Sequence, residues 1–144
     1  MAELALARFY VEDGKLAEAA KYLEDVMNTS EDAELKLVAR LRLARVQRAL
    51  GNADAALATL NGANPGGFAP AFAEVRGDLL FDRGDRAGAL AAYREAAAAA
   101  QPGLVDAELL QLKIDSLGGT AGQSSTASVQ PAAAGASPVA PGAA

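Results

Sequence analysis

Apolar residues recur every three or four positions along most of this chain, which is the spacing of one face of an α-helix. The clearest stripe contains Leu35, Ala39, Leu43, Val46 and Leu50, and it predicts a helix over residues 32–50. Breaks rich in glycine or polar residues separate this stripe from shorter ones of the same kind. The pattern predicts seven helices, over residues 3–12, 15–27, 32–50, 53–60, 70–82, 86–100 and 104–117.

The composition changes abruptly at Gly118, and no charged or aromatic residue follows it. Residues 118–144 contain only Gly, Ala, Ser, Thr, Pro, Gln and Val. Such a segment buries too little apolar surface to offset the entropy lost on ordering it. We therefore expect one folded domain over residues 1–117 and a disordered tail over residues 118–144.

Within the folded part, a glycine followed five residues later by an alanine occurs three times. The glycines are 37 and then 33 residues apart, close to the period of about 34 residues of the tetratricopeptide helix-turn-helix repeat. A glycine can take the left-handed conformation that ends a helix, so each one predicts a corner between two paired helices. The three pairs are Gly14 with Ala19, Gly51 with Ala56, and Gly84 with Ala89.

When the three units are aligned on these glycines, one further position always carries a small residue and another always carries a large one. A small residue stands seven positions before the glycine and a larger one nine positions after it, which suits helices that approach closely and a side chain that fills the space between them. The small residues are Ala7, Ala44 and Gly77, and the large ones are Leu23, Leu60 and Tyr93. We therefore expect an all-α, tetratricopeptide-like right-handed solenoid of three helix pairs, closed by a C-terminal capping helix.

In this architecture the first helix of each pair lines a groove. An extended peptide would suit such a groove, because apolar side chains fill pockets while charges fix its direction. The alternative is that Arg45 and Asp78 neutralise each other across neighbouring helices, or that these positions are simply solvated. The candidate partner-binding residues are Leu4, Arg8, Val11, Val38, Leu41, Arg45, Arg48, Glu74, Asp78 and Phe81, with Ala71 in the same stripe.

The composition excludes several kinds of chemistry. Histidine and cysteine are absent, which removes disulfides, thiolate nucleophiles and the usual zinc ligands. Carboxylate pairs such as Glu24-Asp25 have no convergent partner, and no glycine-rich phosphate loop is present. A net charge of −5 argues against general nucleic-acid binding, and no apolar run approaches a membrane span. We expect a non-enzymatic protein with no cofactor and no metal, either soluble or the soluble part of something longer.

Several segments, taken in order, resemble the ancillary SecYEG translocon subunit family. The resemblance covers nearly all of residues 3–117. The segments are Leu4 through Phe9, Leu41 through Gln47, Ala53 through Leu57, Ala73 through Asp78, the turn Gly84-Asp85, and Leu112 through Leu117.

The resemblance implies a bacterial inner-membrane protein with one membrane helix and a periplasmic tetratricopeptide-like domain. It also implies association with the SecYEG translocon and with periplasmic chaperones that receive exported chains. The cytosolic segment and membrane helix of the family are not among these residues, and the Ala/Gly/Ser/Pro-rich tail is additional.

Two other functions stay open at this stage. One is a free-standing soluble adaptor that binds the tail of a chaperone or another peptide. The other is a structural assembly piece that stacks through exposed apolar end faces.

Overall fold

A computed structural model describes residues 2–118, which form seven α-helices and one short 3-10 helix. No helix in this range combines the length and the apolar character that crossing a membrane would need. Apart from Gly118, the predicted disordered tail over 118–144 lies outside the described residues. The elements are α1 Ala2–Glu12, α2 Leu16–Thr29, α3 Ala33–Ala49, α4 Ala53–Asn61, the 3-10 helix Gly66–Phe68, α5 Ala69–Asp82, α6 Arg86–Ala98 and α7 Ala107–Ser116.

The three predicted corners share one backbone geometry. Gly14, Gly51 and Gly84 have φ values of 75°, 78° and 84°. At each corner the glycine amide donates to the carbonyl three residues earlier, and the next amide donates to the carbonyl five residues before it. This pair of bonds is the Schellman arrangement that ends a helix at a left-handed residue. The prediction of three equivalent helix corners is confirmed.

The small and large positions of the three units also pack as predicted. A Cβ added at Gly77 would lie 2.5 Å from a ring carbon of Tyr93, so α5 and α6 approach as closely as they do because this position lacks a side chain. The buried residues at the equivalent positions are Ala7, Ala44 and Gly77 before the corners, Ala19, Ala56 and Ala89 just after them, and Leu23, Leu60 and Tyr93 further on.

The core is continuous from one helix pair to the next. One buried cluster joins α1, α2 and α3, a second joins α3, α4 and α5, and a third joins α5, α6 and α7. Helices α3 and α5 therefore each contribute to two clusters. This sharing is how a repeat unit that cannot bury its apolar surface alone becomes stable.

The last helix begins later than the sequence predicted. It starts at Ala107 instead of Leu104, because the Asp106 carboxylate accepts hydrogen bonds from the amides of Glu108 and Leu109 and so caps the helix there. The preceding residues are left as a connection, in which Val105 packs against both the second and the third cluster. This connection decides which part of the predicted groove is accessible.

Candidate binding surface

The ten residues predicted to line a groove follow helical spacing on α1, α3 and α5, and we call the side of these helices that carries them the groove face. Their accessibility differs, and this decides which of them are available to a partner. Leu4, Leu41 and Glu74 are buried, Val38, Arg48 and Asp78 are partly buried, and Arg8, Val11, Arg45 and Phe81 are exposed. Binding by these residues stays a prediction.

An ion-pair network ties α3 to α5 on the groove face. The Arg48 guanidinium lies 2.6 Å from Oδ2 of Asp82 and 3.3 Å from Oδ2 of Asp78. Neutralisation between neighbouring helices therefore occurs, but Arg48 forms it and not Arg45, because the two carboxylates stand one turn apart on α5 at the level of Arg48. The bond to Arg48 lowers the pKa of Asp82, and the same bond raises the pKa of Arg48.

Helix α7 contributes a second cation to this network. Nζ of Lys113 lies 2.9 Å from Oε1 of Glu74 and 2.9 Å from Oδ1 of Asp78. It also lies 5.4 Å from the centre of the Tyr93 ring, within the range of a cation–π contact. The Tyr93 hydroxyl donates to Oδ1 of Asp78 over 2.6 Å, and burial together with this bond raises the pKa of Tyr93.

Sequence reasoning missed Lys113. Two carboxylates one turn apart, Glu74 and Asp78, stand among apolar residues of α5, and buried carboxylates require a cation. Lys113 is the basic residue of the helix predicted to cap that end of the stack. These two observations together would have identified the partner.

The connection between α6 and α7 covers part of the groove face. Leu104, Val105 and Asp106 line a cavity of about 450 Å³ together with Arg45 and Glu74. Val105 packs against the buried cluster that contains Leu41. The connection thus covers the middle of the groove face, where Leu41 and Glu74 are buried, while Phe81 near the end of α5 stays exposed.

The N-terminal part of the groove face remains open. A cavity of about 290 Å³, which we call the N-terminal cavity, lies between α1, α2 and α3. Its walls are mainly apolar, and three arginines stand among its lining residues. The cavity is lined by Ala7, Arg8, Val11, Leu16, Leu23, Arg42, Arg45, Val46 and Ala49.

The three arginines differ in how they are held. Arg8 bonds to Glu12 one turn later on α1, over 2.8 Å, and both side chains are largely exposed. Arg42 donates to the backbone carbonyl of Leu4 over 3.1 Å, which links α3 to α1. Arg45 is exposed and forms no ion pair within the part of the chain that the structure describes. A chain with a net charge of −5 therefore places a local group of cations beside an apolar cavity. Such a site can accept an apolar side chain next to an anion.

Comparison with known proteins gives the family. A family model described as a tetratricopeptide repeat-like domain matches residues 1–119. The chain is 39% identical over 117 residues to the ancillary SecYEG translocon subunit of Escherichia coli strain K12. It is 32% identical over 117 residues to the protein of that name from Aggregatibacter actinomycetemcomitans. Both alignments cover 81% of this chain and 56% of the relative, so the chain spans about half the length of these relatives.

A solved structure shares the fold. The crystal structure of PcrH from Pseudomonas aeruginosa superposes with a TM-score of 0.70, at 21% sequence identity, over 81% of this chain and 89% of that one. The all-α arrangement of tetratricopeptide-like helix pairs predicted from the sequence is confirmed. The chain belongs to the tetratricopeptide repeat-like domain family and is a homologue of the ancillary SecYEG translocon subunit.

Proposed function

We propose that this chain is the protein-interaction domain of a translocon accessory subunit, which links the SecYEG translocon to periplasmic chaperones during protein export. Its place would be the periplasmic side of the bacterial inner membrane. The homology to ancillary translocon subunits supports this assignment. So does the fold, since stacked helix pairs present extended surfaces for protein partners.

One observation carries the choice of surface. The N-terminal cavity is an apolar part of the groove face that the α6–α7 connection does not cover, and Val11 and Arg45 at its edge are exposed. The residues at the edge of this cavity are accessible to a partner, whereas Glu74 on α5 is buried. We therefore place the contact with the partner at α1 and α3.

Site-specific photocrosslinking in bacterial cells tests the proposal. A photoreactive phenylalanine analogue replaces Val11 at the cavity, and in a matched control it replaces Ala91, which is exposed on α6 away from the groove face. We expect adducts with a translocon subunit or a periplasmic chaperone from position 11 and not from position 91. Adducts that are the same at both positions, or none with these proteins, would contradict the proposal.

A second candidate function, assembly through an end face, is favoured by α7. Leu109 and Leu112 on this helix are 44% and 65% exposed. A helix at the end of a stack that shows two leucines could pack against another copy of the chain. Sedimentation velocity over a hundredfold range of protein concentration separates the two functions: a sedimentation coefficient that does not change with concentration argues against assembly.

A further inference from the structure

We propose that the N-terminal cavity binds an internal peptide segment in which an aliphatic side chain is next to a side-chain carboxylate. The aliphatic side chain fills the cavity, and Arg45 and Arg42 bind the carboxylate. This inference rests on the proposed interaction function and specifies the chemistry of its ligand.

The size and walls of the cavity select the first element of the ligand. About 290 Å³ lies at the lower end of the range of about 300–1,000 Å³ for ligand pockets, which suits an amino-acid side chain better than a large cofactor. Ala7 and Leu23 at its base are buried, and Val11 and Ala49 at its edge are exposed. An aliphatic side chain that enters would contact mainly apolar atoms and would release water from them.

The arginines select the second element. Arg45 has no carboxylate partner in the described part of the chain, and Arg42 uses one N–H on the Leu4 carbonyl and keeps further donors. The exposed pair of Arg8 with Glu12 is a surface i,i+4 ion pair, which contributes little stability, so Arg8 can be redirected at little cost. A carboxylate beside two guanidinium groups gains charge-assisted hydrogen bonds, which are stronger than neutral ones.

A segment of the chain itself lies on the other side of Arg45. Arg45 lines the N-terminal cavity and also the neighbouring cavity that Leu104, Val105 and Asp106 line. Val105 of this segment packs on the groove face between α3 and α5. An aliphatic side chain is therefore what the covered part of the groove face accepts from its own chain, while the Asp106 carboxylate caps α7 and leaves Arg45 without an anion among the described residues. The open part accepts an aliphatic side chain from a partner in the same way, and the adjacent carboxylate of that partner binds Arg45.

Binding of synthetic peptides to the purified chain tests this inference. The labelled peptide has a central Leu-Val-Asp flanked by Gly and Ser, with both ends blocked, and its affinity is measured by fluorescence anisotropy. One comparison peptide carries Lys in place of Asp, and another carries Ser in place of Leu and Val. We expect each comparison peptide to bind at least about tenfold more weakly, since loss of one charge-assisted bond or one buried aliphatic side chain exceeds 1.4 kcal/mol.

Two pairs of variants assign the binding to the cavity. Arg45→Ala removes the unpaired cation and Ala49→Trp blocks the cavity from its exposed edge, while Arg86→Ala and Ala91→Trp make the same changes on exposed positions of α6. We expect Arg45→Ala and Ala49→Trp each to weaken binding of the Leu-Val-Asp peptide at least about tenfold. The matched variants Arg86→Ala and Ala91→Trp should leave this affinity unchanged, and all four should show the same helical circular dichroism. Equal affinity for the Asp and Lys peptides, or unchanged binding by Arg45→Ala, would overturn the inference.

The two proposals fail in different ways. If position 11 crosslinks to translocon or chaperone proteins but the peptide shows no charge preference, the function stands and the ligand chemistry is wrong. If the peptide binds as expected but no such adduct forms in cells, the ligand chemistry stands and the assigned partners are wrong.

Discussion

The Tyr93 hydroxyl donates a 2.6 Å hydrogen bond to Oδ1 of Asp78, and the same carboxylate oxygen receives Lys113 at 2.9 Å. Its other oxygen lies 3.3 Å from Arg48. One carboxylate on α5 thus connects α3, α6 and α7. The side chain of Asp78 is only 14% exposed, so these bonds form where water competes weakly.

The tyrosine in this network makes the stability depend on alkaline pH. The folded state raises the pKa of Tyr93 through burial and the bond to Asp78, so the unfolded chain releases this proton first. The contribution of Tyr93 is complete below the ordinary tyrosine pKa of about 10 and is lost as the pH rises from there towards the higher folded value. Urea unfolding of the native chain and of Tyr93→Phe, measured between neutral pH and pH 11, checks this.

We expect Tyr93→Phe to cost about 1 kcal/mol at neutral pH, the usual contribution of one hydrogen bond. Above about pH 10 the difference between the two proteins should shrink, because only the native chain loses the contribution of this hydroxyl. A difference that stays constant up to pH 11 would show that the hydroxyl does not titrate in this way. The comparison cancels the other groups that titrate at high pH, since both proteins contain them.

Lys113 should stabilise the chain through two carboxylates. Lys113→Met removes the cation from Glu74, which is buried, and from Asp78, which keeps Arg48. We expect a loss of about 1.5–3 kcal/mol in the free energy of unfolding, the size of a hydrogen bond to a charged group.

A double-mutant cycle with Glu74→Gln separates the pair from other effects of the substitution. The neutral amide no longer needs a cation, so the second change should cost less in Lys113→Met than in the native chain. Two losses that simply add would contradict a direct interaction between Lys113 and Glu74.

Gly77 should tolerate no side chain. In Gly77→Ala the new methyl group would meet the Tyr93 ring at 2.5 Å, and we expect a loss of about 1–3 kcal/mol because α5 and α6 must separate. Gly67→Ala is the matched control, since a methyl group there would have no atom within 4 Å. Thermal unfolding should show a lower midpoint for Gly77→Ala and little change for Gly67→Ala. Equal midpoints would mean that the close approach is not required.

The corner at Gly51 should be limited by backbone conformation and not by space. Its φ is +78°, yet a side chain there would have nothing within 4 Å. Gly51→Ala should cost about 1–2 kcal/mol, the penalty of the left-handed region, and Gly51→Asn should cost less because asparagine enters that region more readily. Chemical denaturation of both variants checks the order. A Gly51→Asn variant less stable than Gly51→Ala would point to a steric cause.

The fold could be predicted from the sequence because its main determinants are local. The positive φ at Gly51 favours a glycine in the sequence, and the close packing of Ala44 with Leu60 requires a small and a large residue at fixed distances from that glycine. Because the same three positions recur in each of the three helix pairs, the prediction from one unit supports those from the others. The helix boundaries were predicted to within a few residues for the same reason.

The accessibility of the groove face could not be predicted, because it depends on contacts between distant parts of the chain. Val105 packs against a cluster built from α3, α4 and α5. The hydrophobic periodicity of the sequence does not predict where such a short connection will pack. The identity of the cation beside Asp78 was misjudged for a related reason. Arg45 and Arg48 are both on the correct side of α3, and only the offset between α3 and α5 decides between them.

The open cavity has a thermodynamic consequence for α1. On the covered side, Val105 supplies apolar contacts to the inner surface of α3 and α5, whereas the inner surface of α1 has a void of about 290 Å³ beside it. A partner that fills this void would act as the missing part of the core, so its binding energy would appear as protection of the α1 amides against hydrogen exchange. Local stability of the first helix would then report occupancy of the site, even before the partner itself is identified.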